Sequence, residues 1–88
     1  MKVKYKFEVM DLDDGLVAVP VGPGAEQFRG VIKVNETAIS IFKLLEQETT
    51  EESIVESLLK EYTGEKTEIT LYVHEFLEKI KAEGILEV

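Results

Sequence analysis

Cysteine and tryptophan are absent from this 88-residue chain, histidine occurs once and proline twice. Without cysteine there is no disulfide framework, no zinc–thiolate site and no thiol nucleophile. Small secreted domains generally need such staples, so the composition points to the cytosol. No apolar run approaches the ~18 residues of a membrane span. The start, Met1-Lys2-Val3-Lys4-Tyr5-Lys6, alternates apolar and basic residues. It has no continuous apolar region and no small-residue cleavage site, so it does not read as a signal peptide. The length suits one domain, residues 1–88. A domain of this size buries only ~60–65% of its unfolded surface. That leaves little room for a deep, water-excluding active site.

Charge is plentiful but unevenly spread. Residues 1–44 carry six acids and six bases, whereas residues 45–88 carry twelve acids and four bases, so the whole net charge of −8 lies in the second half. An acidic surface repels phosphate, which argues against nucleic acid and anionic membrane as partners and favours a neutral or basic one. Acids that merely solvate helix surfaces would give the same composition.

The hydrophobic period changes along the chain. Val3, Tyr5, Phe7 and Val9 alternate with Lys4, Lys6, Glu8 and Met10, the period of a half-buried strand. Asp11-Leu12-Asp13-Asp14-Gly15 supplies turn chemistry. Leu16–Val21 reads as a second strand, with Pro20 at an edge or a strand end. Gly22-Pro23-Gly24 breaks it, and Gly30–Val34 reads as a third strand. From Asn35, a good N-cap, the period becomes helical. Ala38, Ile41, Phe42 and Leu45 share one face of a first helix. A second helix starts at Thr49 or Thr50, with Thr49-x-x-Glu52 as a capping box, and buries Ile54, Val55, Leu58, Leu59 and Tyr62. Gly64 is its expected stop. A third helix is expected from about Thr67 to Glu83, with a stripe of Ile69, Val73, Phe76, Leu77 and Ile80, before Gly84 and an extended tail. Strands followed by helices predict an α+β fold, a three-stranded antiparallel sheet and three helices in winged helix-turn-helix style.

Few residues suggest chemistry. His74, with Glu75 and Glu78 close by, could form a weak metal or acid–base site, but a lone histidine beside an apolar stripe reads more simply as part of a charged outer face. Gly22-Pro23-Gly24 lacks the Lys-Ser or Lys-Thr of a phosphate loop. Ser40 and Ser53 have no local base. Asp11, Asp13 and Asp14 echo a calcium loop, but no acid stands at its closing position. No catalytic residue, metal site or cofactor is therefore expected. A DNA-reading helix would be basic. The third carries Lys79 and Lys81 against Glu68, Glu75, Glu78 and Glu83.

The stretch Gly30-Val31-Ile32-Lys33-Val34-Asn35-Glu36-Thr37-Ala38, followed by Ile41-Phe42-Lys43-Leu44-Leu45, resembles the strand-to-helix signature of the PqqD-like family. Thr50-Glu51-Glu52-Ser53-Ile54-Val55, Leu58-Leu59-x-x-Tyr62 and Val73-x-x-Phe76-Leu77-x-x-Ile80-x-x-x-Gly84-Ile85-Leu86 continue it. The resemblance covers about residues 29–86. Val34, in place of a common Leu, and the apolar Leu71-Tyr72 pair depart from the pattern. The resemblance implies a RiPP recognition element, a module that binds the leader segment of a ribosomally made precursor peptide. It would present that precursor to a modifying enzyme, commonly a radical-SAM protein. In the family the leader adds as a strand beside the third strand and touches the third helix.

On this chain the edge would be Gly30, Val31, Ile32, Lys33 and Val34, with Arg29 and Lys33 facing acidic leader residues. Tyr72 would give apolar contact and Glu75 would select basic residues, with Lys79 on the same flank. Tyr72 as a core residue, and Glu75 with Lys79 as a surface i, i+4 pair, are the plainer readings. The protein is expected as a monomer, or as a homodimer paired through the same strand edge. A winged-helix transcriptional regulator and a structural subunit of a larger complex are the alternatives.

Overall fold

The computed structural model describes residues 1–13, 15–24 and 31–87. Its elements are β1 (Lys2–Val3), β2 (Lys6–Leu12), β3 (Gly15–Val21), β4 (Ile32–Val34), α1 (Glu36–Leu44), α2 (Glu51–Glu61), α3 (Lys66–Ala82) and β5 (Leu86–Glu87). The fold is α+β, as expected, with an antiparallel sheet in the order β2-β3-β4.

Strands β2 and β3 pair from Lys6↔Val21 to Leu12↔Gly15, and β4 adds to β3 with Leu16↔Val34 and Ala18↔Ile32. Two residues separate Leu12 from Gly15, so that pair closes the hairpin with hydrogen bonds. Bonded and unbonded pairs alternate along an antiparallel ladder. Phe7↔Pro20 is then an unbonded pair, and proline, which has no N–H, costs this ladder nothing. On the other side of β3, Val17↔Lys33 is likewise unbonded. The main-chain N–H and C=O of Lys33 therefore point away from β3, along an edge that no other strand among the described residues covers.

The helices begin where local side chains satisfy their first amides. Asn35 is extended, and its Oδ1 accepts from Ala38 N at 2.9 Å. Thr50 caps α2 through Ser53 N at 3.1 Å. Thr49 does not form the anticipated capping box, because its own N–H is committed to Met1 O at 3.0 Å. Helix α2 ends at Glu61, ahead of Gly64, with Tyr62 already extended. The expected apolar faces pack together. Ala38, Ile41 and Phe42 of α1, Ile54, Val55 and Leu58 of α2, and Val73, Phe76, Leu77 and Ile80 of α3 are buried in one cluster with Ala18 and Ile32 of the sheet.

One expectation is corrected at the start of the chain. The first strand is not continuous from Val3 to Val9. It bends at Lys4 and Tyr5, and Val9 is 43% exposed. The bend follows from main-chain bonds that draw the segment away from the hairpin: Val3 N donates to Leu45 O at 3.0 Å and Lys4 N to Ile85 O at 2.7 Å. The extended tail is a strand, β5, paired antiparallel with β1. At the N-terminus a hydrogen bond from the ammonium group holds the Glu48 carboxyl below the usual carboxylate range.

Gly84 makes the return possible. With φ at +77°, it places Ile85 N on Ile80 O and its own N on Lys81 O, both at 3.1 Å. This is a Schellman closure, and its apolar partners Ile80 and Ile85 are both fully buried. Nothing lies within 4 Å of a Cβ built at Gly84, so only the backbone conformation opposes a side chain there. Gly84→Ala is expected to cost about 1–2 kcal/mol. Thermal unfolding would show it as a Tm lower by roughly 4–16 °C for a domain of this size.

Candidate functional site

The free edge of β4 leads directly into the Asn35 corner and the first turn of α1. Across from it lies the middle of α3. Between them opens a cleft of about 410 Å³. Lys33, Val34, Asn35 and Ala38 line its strand side. Tyr72, Glu75, Phe76 and Lys79, on one flank of the buried α3 stripe, line the other.

Its shape is set by aromatic packing and one polar contact. Phe7 of β2 lies 4.9 Å from Phe42 of α1, which meets Phe76 of α3 edge-on at 5.5 Å. Tyr72 continues the run, its ring parallel to that of Phe76 at 6.4 Å. The Tyr72 hydroxyl donates to Asn35 Oδ1 at 3.0 Å. Tyr72 is thus half-buried against the core while its outer side walls the cleft. Lys33, Glu75 and Lys79 are exposed. Among the described residues, no ion pair within 4 Å joins Glu75 to Lys79, so both charges remain available to a ligand.

Five of the residues named from sequence, Lys33, Val34, Tyr72, Glu75 and Lys79, come together here. Val31 precedes β4 and is 55% exposed. Ile32 does not offer its side chain, which packs into the core. Arg29 and Gly30 lie outside the described residues. Asn35, Ala38 and Phe76 also line the cleft and are not among the residues named from sequence. Asn35 announced itself as a helix cap, and a cap at the end of an edge strand was the available signal. His74 stands apart from the cleft, its Nδ1 3.3 Å from Glu51 Oε2 of α2. The other edge of the sheet, β2, exposes Val9, Met10 and Leu12.

A family model described as "Coenzyme PQQ synthesis protein D (PqqD)" matches residues 9–86. The chain belongs to the PqqD family. Among solved structures, "TbiB1 in Complex with the TbiA(beta) Leader Peptide" superposes with a TM-score of 0.70 at 22% sequence identity, covering 99% of this chain and 95% of the other. At that identity the likeness establishes a shared fold. No curated protein matches the sequence. The PqqD match takes in the second half of β2, all of β3 and β4 and all three helices, and so includes both walls of the cleft.

Asn35 Oδ1 serves both the α1 cap and Tyr72, so the two contacts should be coupled. Asn35→Ala is expected to cost about 1–2 kcal/mol through the lost cap. Tyr72→Phe should cost about 0.5–1 kcal/mol. The double variant should fall short of the sum, because the second substitution removes a bond already lost. Urea unfolding of all four proteins in a double-mutant cycle measures this.

Proposed function

We propose that this chain is a peptide-binding module that takes the leader segment of a ribosomally made precursor as an added strand on β4. The observation that carries this reading is a strand edge that, among the described residues, is unpaired and lies beside a helix across an open cleft. An extended peptide gains main-chain hydrogen bonds on such an edge, while alternate side chains find pockets against the helix. Membership of the PqqD family supports the reading, as does the leader peptide bound to TbiB1, which shares the fold. The module would present its cargo to a separate modifying enzyme, of radical-SAM type in the family resemblance, in the cytosol, and would carry out no reaction itself. Tyr72 and Phe76 would contact apolar leader residues, Glu75 basic ones, and Lys33 and Lys79 acidic ones. Arg29 and Gly30 would extend the same edge.

A DNA-binding role for the winged-helix shape is disfavoured by charge. The exposed side of α3 carries Glu68, Glu75 and Glu78 against Lys66, Lys79 and Lys81, so it lacks the excess of positive charge a phosphate backbone needs, and the chain as a whole carries a net charge of −8. A second copy paired through β4 would compete with peptide, and added leader would dissociate it.

The test is a titration of labelled protein with synthetic leaders of the short precursors encoded beside its gene, followed by backbone amide NMR. Saturable shifts at Val31–Asn35 and along Tyr72–Lys79 are expected, and shifts confined to β2 would refute the assignment. Two proline variants separate the edges. Lys33→Pro removes the outward N–H of β4 and should weaken leader binding about tenfold, by leaving a peptide carbonyl unpaired. Val9→Pro removes an outward N–H from β2, since Val9↔Ala18 is an unbonded pair by the same alternation, and should leave affinity unchanged.

A further inference from the structure

A second cleft, of about 340 Å³, lies beyond Tyr72, where α1 begins, α2 ends and α3 begins. Leu58, Tyr62 and Ile69 give it apolar walls, Glu68 stands at its side, and Tyr72 lines both this cleft and the one beside β4. The two are sequential along the chain. Asn35 meets Tyr72 in the first, and Thr37, two residues on, lines the second. A peptide that follows β4 toward Asn35 is therefore led over the Tyr72 ring into the second cleft.

We infer that the peptide site continues past Tyr72, and that the second cleft takes one apolar side chain of the same peptide, flanked by lysine or arginine. This rests on the strand-addition reading and adds a second, separable anchor to it. The volume falls at the small end of ligand pockets, ~300–1,000 Å³, which suits a single aromatic or branched side chain. The preference for flanking cations follows from the surroundings. Glu68 lines the cleft, and the exposed Glu61 and Glu65 adjoin its lining residues Tyr62 and Gly64 in the chain, so that across residues 60–68 three exposed acids outnumber the exposed Lys60 and Lys66. A basic segment would be drawn to this end of the molecule and an acidic one repelled.

Gly64 supplies a way to close the cleft without disturbing the core. It is exposed, and a Cβ built on it meets Ile69 Cδ1 at 3.5 Å, an ordinary contact. A larger side chain at this position projects into the space that Ile69 borders. Gly64→Leu should therefore fill the cleft and leave the thermal unfolding transition in place.

The probes are N-acetyl-L-phenylalaninamide and the dipeptides N-acetyl-Phe-Lys-amide and N-acetyl-Phe-Glu-amide, each titrated at low salt and followed by NMR. The expected result is saturable shifts at the Gly64 amide and the Leu58 and Ile69 methyls, lost in folded Gly64→Leu. The Lys dipeptide should bind about two- to fivefold more tightly than the Glu dipeptide, as for a solvent-exposed ion pair. Glu68→Lys should reverse that order. Shifts that fail to saturate, or that persist in Gly64→Leu, would overturn the assignment of the cleft. Equal affinity for the two dipeptides would overturn the charge preference. With a leader that shifts Lys33–Asn35, Gly64→Leu should lower affinity while those shifts persist. Unchanged affinity would overturn the extension and leave the strand-addition reading standing. If no leader shifts Lys33–Asn35, it is the strand-addition reading that has failed.

Discussion

Two hydrogen bonds meet at Asn35 Oδ1, one from the amide of Ala38 and one from the hydroxyl of Tyr72. The first ends β4 and starts α1. The second ties that corner to the middle of α3. Neither bond is worth much alone, about 1 kcal/mol each, and the burial of Ile41, Leu45, Ile54, Leu58 and Ile80 contributes far more to stability. What the corner controls is position. The edge of β4 is useful only if a helix lies beside it at a distance that leaves room for an added strand and its side chains. The aromatic run from Phe7 through Phe42 and Phe76 sets that spacing from below, and the Asn35–Tyr72 contact sets it at the surface. The candidate site is thus built from core packing, with its polar groups carried on the outer rim.

The closure of the fold at the opposite end works on the same principle of economy. The chain start contributes only the two-residue β1 and the chain end only the two-residue β5. Even so, Val3 and Lys4 donate to the carbonyls of Leu45 and Ile85. The first satisfies the carbonyl of Leu45, the C-cap of α1 and a group that helices leave unpaired, and the second ties the chain start to Ile85, just ahead of β5. They also hold β1 and β5 in a separate two-stranded sheet, so neither covers the edge of β4.

What was readable in the sequence was what local chemistry decides. The faces of α1, α2 and α3 follow from residues three and four apart, and the starts of α1 and α2 from Asn35 and the Thr49-Thr50 pair. The α3 residues Tyr72, Glu75 and Lys79 could be placed on one flank because helical spacing is regular. The bend at Lys4 and Tyr5 could not be read, since the alternation Val3-Tyr5-Phe7-Val9 is intact in the sequence and is broken by partners more than forty residues away. The pairing of β5 with β1 is invisible for the same reason. Thr49 and Thr50 are equivalent caps by type, and only the bond from Thr49 to Met1 distinguishes them. The inward side chain of Ile32 depends on the register with Ala18, which alternation in a three-residue strand cannot fix. The second cleft joins residues from three helices and has no linear signature.

The short length of β4 constrains how such a module can bind. Within Ile32–Val34, only Lys33 directs its N–H and C=O outward, because Ile32 and Val34 pair with β3. One residue's pair of main-chain bonds contributes about 1–3 kcal/mol net. Micromolar affinity corresponds to about 8 kcal/mol, after the considerable cost of ordering a flexible peptide. Strand addition on this edge therefore fixes register and direction, but it supplies a minor part of the affinity. Most must come from side chains buried against α3. Apolar burial at ~25 cal/mol per Å² requires a few hundred Å² to make up the difference, before ordering costs. A single open groove along Tyr72 and Phe76 provides part of that area. A peptide that also seats a side chain between Leu58, Tyr62 and Ile69 gains more, at little further ordering cost once its strand is in place.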